Sequence, residues 1–458
     1  MLLSVFGRRC PTPRRRRVVL ASLLVGQVAM PVAVSAQSEG ASAPVGPPVI
    51  TLDSVLSLVA LRGPRPRAAN ALALAAQARV PGASRPPDPQ LQLGFMNYTL
   101  PSVKRDPTLG MTQLQVMQMV PIPGKLAAAG SAAQARADAA RARATDASWE
   151  ARSNAAMAYY ERYQADGAIA IARQTRRLLA DVAAVASAMY RVGNGRQADV
   201  LRARVEIARM DEEVIRMNVM VESATARLAA AADSPPNAVA GASKLPSFPD
   251  SIPSTETFER LALETRPMLA AGAADVRAAS ADAALARREL WPDVQVGVQY
   301  GQRRMESGVD RMGSLMIGAS LPIFARSRQL QMREEAAAMR QMAEAELAAM
   351  RADTRSRLAE VSATLSSTRR LRTLYRTTVI PQAEAATESS LASYRSGAVD
   401  FMTVIDNQMG VNRYRQELLA LDATEGRSWA ELEMLIGRPL LSHNDSASAP
   451  SRAGRGAP

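Results

Sequence analysis

Apolar and polar positions follow two rhythms along this chain, and the rhythm changes at matching places in its two halves. After Thr51, placed as a helix cap, apolar residues recur at helical spacing: Leu52, Val55, Leu56 and Val59. Gly63 and Pro64 interrupt this pattern, helix resumes to about Arg79, and the stretch from Pro81 to Pro89 is expected to end it. The period then drops to two. Residues 90–100 set Leu91, Leu93 and Phe95 against Gln90, Gln92 and Gly94, and residues 111–120 set Leu114, Val116 and Val120 against Gln113, Gln115 and Met119. With a polar, turn-rich link at 101–110, this predicts a hairpin of roughly ten-residue strands. Residues 126–191 contain neither proline nor alternation, so about 65 residues read as one helix of roughly 100 Å. A turn and a second helix, from Gln197 to about Ala232, complete the first half.

The same plan then repeats. Residues 254–298 align without a gap on 51–95 at an offset of 203, so that Arg266 and Pro267 fall on Gly63 and Pro64. A second hairpin alternates Val294, Val296, Val298 and Tyr300 with Gln295, Gly297, Gln299 and Gly301. Its partner strand alternates Leu315, Ile317, Ala319 and Leu321 with Ser314, Met316, Gly318 and Ser320. Another long helix is expected over about 326–395, kinked if at all by Pro381, followed by a turn and a final helix to about Gly437. The two turns match at an offset of 204: Tyr190, Arg191, Val192, Gly193 and Asn194 against Tyr394, Arg395, Ser396, Gly397 and Ala398. Each has a glycine where a helix must stop and reverse. The organisation is therefore a tandem duplication: a first repeat at 51–232, a Pro/Ser/Ala-rich linker at 233–253 and a second repeat at 254–437.

Lengths constrain how the halves are arranged. Two half-length helices end to end span about what the long helix spans, so the hairpins gather at one end and both turns at the other. The strands have the length and alternation of membrane-spanning β-strands, with Leu91, Leu93, Val294, Val296, Val298, Leu315 and Ile317 on the lipid side. Trp291, Tyr98 and Tyr300 are placed to contribute to an interfacial girdle. Four strands cannot close a spanning barrel, and an open edge in lipid leaves backbone groups unsatisfied, so strands in a membrane require an oligomer. Three copies would supply twelve strands. The alternative is a water-exposed antiparallel sheet packed on the helices.

Composition narrows the function. Residues 1–36 carry six arginines, an apolar run and a small-residue end at Ala36, which reads as a secretory signal peptide followed by a loose leader at 37–50. Its removal takes the formal charge from +13 to about +7. The remaining arginines are scattered among acids, so no nucleic-acid partner is expected. The one cysteine, Cys10, lies in the expected signal peptide, and the one histidine, His443, lies in a Ser/Pro/Ala-rich tail at 438–458 expected to be disordered. No phosphate loop, zinc spacing or nucleophile elbow occurs, so an enzyme is disfavoured and neither a cofactor nor a metal site is expected. Met111, Met117, Met119, Met305, Met312 and Met316 read as packing residues.

The duplicated plan, its two Tyr-x-x-Gly turns and the run from Glu289 to Val294 entering a strand resemble the outer-membrane efflux protein family typified by TolC, over residues 51–437. Lys125, ending the run from Pro121, resembles the strand exit of heavy-metal-exporting members. The resemblance implies a mainly α chain with a membrane β-barrel portion: a long antiparallel α-helical barrel continuous with a 12-stranded β-barrel formed by a trimer with four strands per chain. It implies a homotrimer in the outer membrane that extends into the periplasm, serving as a passive exit duct for drugs or metal cations. Its implied partners are a periplasmic adaptor protein, an inner-membrane pump and outer-membrane lipid. The turns at 190–194 and 394–398 would be periplasmic tips where the adaptor docks. Glu384 and Glu388, on one helix face near the second turn, would form an acidic gate; the matching Ala180 and Ala184 are neutral. A periplasmic adaptor or coiled-coil scaffold is the competing reading, but an adaptor would show one helical hairpin and a scaffold would lack the strands.

Overall fold

A computed structural model describes residues 49–99, 101, 104–107, 109–305, 308–321 and 323–441. The expected signal peptide, most of the leader and the tail from 442 lie outside the described residues. Strand β1 (Val49–Ile50) leads into α1 (Leu52–Arg62) and α2 (Pro64–Ala83). Thr51 Oγ1 accepts the Ser54 N–H at 3.3 Å, the cap expected from sequence. In the second repeat Ser254 Oγ accepts the Thr257 N–H at 3.3 Å, starting α5 (Thr255–Thr265), and α6 (Pro267–Arg288) follows. Pro64 and Pro267 each open the second helix of the pair, where a missing N–H costs nothing.

Two boundaries in the first repeat differ from the sequence reading. Helix α2 passes through Pro81 and stops at Ala83, because a proline in the final turn forfeits only one bond near a fraying end. The first strand of the first hairpin, β2 (Gln90–Met96), ends early at Asn97, which has φ 55°, and a small ladder of β3 (Tyr98–Thr99) with β4 (Lys104–Arg105) follows. Strand β5 (Met111–Val120) then feeds α3 (Lys125–Arg191), an unbroken helix of 67 residues.

The rest of the first repeat is α4 (Gln197–Ala231). The linker is more structured than expected: a 3-10 turn at Pro236–Val239 precedes β6 (Ala242–Ser243), which pairs in parallel with β1. Thus the end of the leader and the linker hold each other. Strands β7 (Val294–Met305) and β8 (Gly308–Ala319) form the second hairpin. The second long helix does not run as one rod. Helix α7 (Gln329–Leu374) starts later than expected, a π turn occupies Tyr375–Val379, and α8 (Ile380–Arg395) completes it. Helix α9 (Phe401–Ile436) ends at Gly437 in the left-handed conformation. The tail begins ordered, because the Leu440 and Leu441 N–H groups donate to Glu433 Oε1 at 2.8 and 3.0 Å.

Three buried clusters hold the helices. One joins Val55, Leu56 and Val59 of α1 to Tyr159 and Tyr160 of α3, Leu228 of α4 and Val239 of the linker. Its counterpart joins Phe258 and Ala262 of α5 to Leu358 and Leu365 of α7 and Trp429 and Leu432 of α9. Phe258 and Ala262 occupy the positions of Val55 and Val59 in the repeat, so the duplication extends to the core. The third cluster sits beside the turns, where Leu179, Val182 and Ala186 of α3 meet Tyr394 of α8 and Phe401, Val404 and Ile405 of α9.

Candidate docking turns and channel face

Both turns are built the same way. At the first, Gly193 has φ 79°, its N–H donates to the Tyr190 carbonyl at 3.1 Å, and the Asn194 N–H donates to the Met189 carbonyl at 2.9 Å. At the second, Gly397 has φ 75°, with matching bonds from Gly397 to Tyr394 at 3.0 Å and from Ala398 to Ser393 at 2.9 Å. This is the Schellman arrangement, which satisfies the last helical carbonyls and needs a residue at ease with positive φ. The shared third cluster places the two turns together.

The two matched tyrosines differ. Tyr190 is 47% exposed, whereas Tyr394 is 6% exposed and stacks edge-on against Phe401 at 5.5 Å. Burial, followed by the nearby Asp199 and Asp400, raises the Tyr394 pKa above its ordinary value. Val192 is also exposed, so the accessible turn surface is richer around the first turn than around the second. Glu384 accepts from Arg415 Nε at 3.1 Å and Nη2 at 2.5 Å, an ion pair from α8 to α9 within one chain. Glu388, one turn further on, is exposed.

A carboxylate cluster that sequence reading missed lies between α7 and α9. Glu425, with no side-chain exposure, accepts from Arg369 Nε and Arg372 Nη1 at 2.8 Å each, and Arg372 also pairs with Asp422. Arg369 Nη1 reaches the Asp250 carbonyl at 2.8 Å and Nη2 the Pro249 carbonyl at 2.5 Å, tying the linker down. Burial raises the Asp422 pKa, with Arg372 pulling it the other way. A signal existed: arginines three apart on one helix and acids three apart on another. In the first repeat Arg162 plays the tethering part, with Nη1 donating to the Val239 carbonyl at 2.5 Å and Nη2 to that of Gly241.

The four long strands form one antiparallel sheet in the order β2-β5-β7-β8, which among the described residues leaves β2 and β8 as unpaired edges. Register brings the two hairpins together in rows: Leu91, Val116, Val298 and Leu315 lie abreast, and Val296 lies opposite Ile317. All seven strand residues expected on the lipid side share this face, and they are exposed, up to 73% at Ile317. Tyr300 stands at one end of the band and Trp291, 64% exposed, just beyond the other. Val294 to Tyr300 spans about 20 Å along the strand, near the apolar height of an outer-membrane barrel. At the foot of the sheet Lys125 pairs with Asp293 at 2.8 Å, joining the exit of the first hairpin to the entry of the second.

Residues 55–233 and 260–438, one segment from each repeat, match the outer membrane efflux protein family. The chain belongs to that family. It is thereby an efflux channel protein of the outer membrane that extends into the periplasm, in a family of passive channels rather than enzymes. The cobalt-zinc-cadmium resistance protein CzcC of Cupriavidus metallidurans is 25% identical over 333 residues, 71% of this chain and 78% of that protein. The solved channel VceC of Vibrio cholerae superposes with a TM-score of 0.71 at 19% identity, covering 85% of this chain and 96% of that one. CusC superposes at 0.70 and 17% identity, covering 84% and 92%. With both repeats matched, the adaptor and scaffold readings are set aside. Among the described residues no helix is long and apolar enough to cross a membrane.

Proposed function

We propose that three copies of this chain close a twelve-stranded barrel by pairing edge β2 of one copy with edge β8 of the next, with the helices continuing as a tube into the periplasm. The observation that carries this is the sheet itself: an exposed apolar face bounded by two unpaired edges, which lipid tolerates only when the edges are paired. Exposed apolar residues along α4 (Leu201, Val205, Ile215 and Val219) supply a further surface for neighbouring copies to cover. The turns at 190–194 and 394–398 form the periplasmic mouth and dock an adaptor that links the duct to an inner-membrane pump. Glu388 carries the acidic constriction there, with Glu384 held back by Arg415.

The cargo class follows from the relative's name: metal cations are favoured over drugs, by way of CzcC. Detergent-purified protein should run as a trimer by light scattering and conduct ions in planar bilayers. A monomer extracted without detergent overturns the reading. A deletion strain challenged with cobalt, zinc and cadmium salts against hydrophobic drugs separates the cargo classes.

A further inference from the structure

The register that assembles the apolar face also defines its opposite, and that face has an unusual composition. Its large neutral side chains are glutamine and methionine only, among them Gln92, Gln115 and Gln299 abreast in one row. All seven methionines of β2, β5, β7 and β8 lie on this face, and the leucines, isoleucine, valines and phenylalanine of those strands all lie on the other. Methionine used as an apolar filler has no reason to avoid the face where every aliphatic residue sits. The sorting follows sulfur rather than size.

The methionines also converge. Gly297 lies in register between Met117 of β5 and Met316 of β8, and a Cβ there would meet Met117 Cγ at 3.2 Å and Met316 Cε at 3.5 Å. A thioether from each neighbouring strand therefore leans over the same glycine. Two positions along the same face, past Gln299, Gly301 is opposite Met312, and a Cβ there would meet Met111 Sδ at 3.0 Å. Both glycines are buried beneath these chains, while the glutamines beside them on β7, Gln295 and Gln299, are half-buried. A neutral thioether is a soft ligand suited to Cu(I), and by the same softness to Ag(I), whereas Zn²⁺ and Co²⁺ favour imidazole, thiolate or carboxylate. The one carboxylate on this face, Asp310, pairs with Arg303 at 3.7 Å. Among the described residues no group of three or more His, Cys, Asp or Glu is placed to hold a metal.

We infer that the methionine–glutamine face is a relay of weak thioether sites for soft monovalent cations, Cu(I) or Ag(I), with Met117/Met316 and Met111/Met312 as adjacent stations. It rests on the reading that this face lines the duct, and it names the cargo class that the lining admits. Neutral ligands suit transit, because they capture a cation without the charge that would trap it.

The test titrates Ag⁺ in chloride-free buffer into the full detergent-solubilised protein, by calorimetry and silver-edge X-ray absorption. Wild type should bind Ag⁺ through sulfur, undiminished by excess Zn²⁺. The variant M111L/M117L/M312L/M316L keeps side-chain volume and should lose at least tenfold in affinity at two sites per chain. The pairwise variants M117L/M316L and M111L/M312L give the same readout should the fourfold variant fail to fold. Equal binding by the variants, or displacement of Ag⁺ by Zn²⁺, overturns the inference, as does unchanged Ag⁺ binding alongside loss of a bound apolar dye. Bilayer conductance of potassium keeps the two readings apart: a conducting variant and wild type with the same Ag⁺ response sink the relay alone, while a non-conducting wild type sinks the duct.

Discussion

Glu425 carries no exposed surface, yet two guanidinium groups and the linker backbone are organised around it. Removing one member of a buried ion pair strands the others, at a cost of about 3–5 kcal/mol. Because Arg369 and Arg372 keep partial contact with solvent, Glu425→Ala should cost near the lower end of that range, and Glu425→Gln less, read as the thermal midpoint of the helical signal. Equal midpoints for wild type and Glu425→Ala would remove the cluster from the stability argument. Tyr159 offers a pH test. Its hydroxyl lies 2.7 Å from the Lys244 carbonyl and accepts that residue's N–H at 3.0 Å, and burial pushes its pKa up to about 12 from an ordinary 10. The folded pKa is the higher one, so this contribution is complete below pH 10 and is lost as the pH rises towards 12. Tyr159→Phe should therefore flatten the loss of helicity across that window in a circular-dichroism titration. The burial of Tyr159 was not legible from sequence, because a buried tyrosine and an exposed one look alike until their neighbours are placed. Gly426 is similar: a Cβ there would fall 2.2 Å from the Tyr160 ring, and nothing in the local sequence marks that approach.

Among the elements, the turns were the most legible, since a Schellman end advertises itself by its glycine. A Cβ at Gly193 or Gly397 would meet nothing within 4 Å, so substitution there costs backbone strain alone. Gly193→Val should cost about 1–2 kcal/mol locally. That opens the turn about 5- to 30-fold more often, so trypsin should cut at Arg191 and Arg196 faster by that factor; an unchanged rate would place the turn's order elsewhere. The interruption of the second long helix was half legible. Pro381 was seen, but its consequence is a widened turn upstream, in which the Ile380 N–H donates to the Tyr375 carbonyl, rather than a simple kink. At this scale too, Glu388→Ala should change cation conductance while Glu384→Ala acts through loss of the Arg415 pair; identical currents in Glu388→Ala and wild type would take Glu388 out of the constriction.

For the molecule as a whole, the two faces of the sheet set the behaviour. Val296→Arg puts a charge on the apolar face, at a cost of about 2–4 kcal/mol near the bilayer midplane, while Gln295→Arg, its neighbour on the other face, should be tolerated. The folded fraction from outer membranes, read as heat-modifiable migration on gels, should fall for the first and hold for the second. Equal losses would show that lipid does not contact the Val296 face.

The duplication, the order of elements, the two turns and the side of each strand residue were determined by the sequence alone, because they depend on periodicity and on single residues with restricted backbone choices. Tertiary structure decided the rest. It buried Tyr394 and exposed its partner Tyr190, tied Glu384 to Arg415, and turned a loose-looking linker into a strand tethered by Arg162 and Arg369. It also set the two hairpins side by side, bringing Met117 and Met316 over one glycine. These are contacts between residues about thirty to two hundred positions apart, and local pattern has no means of choosing among such partners.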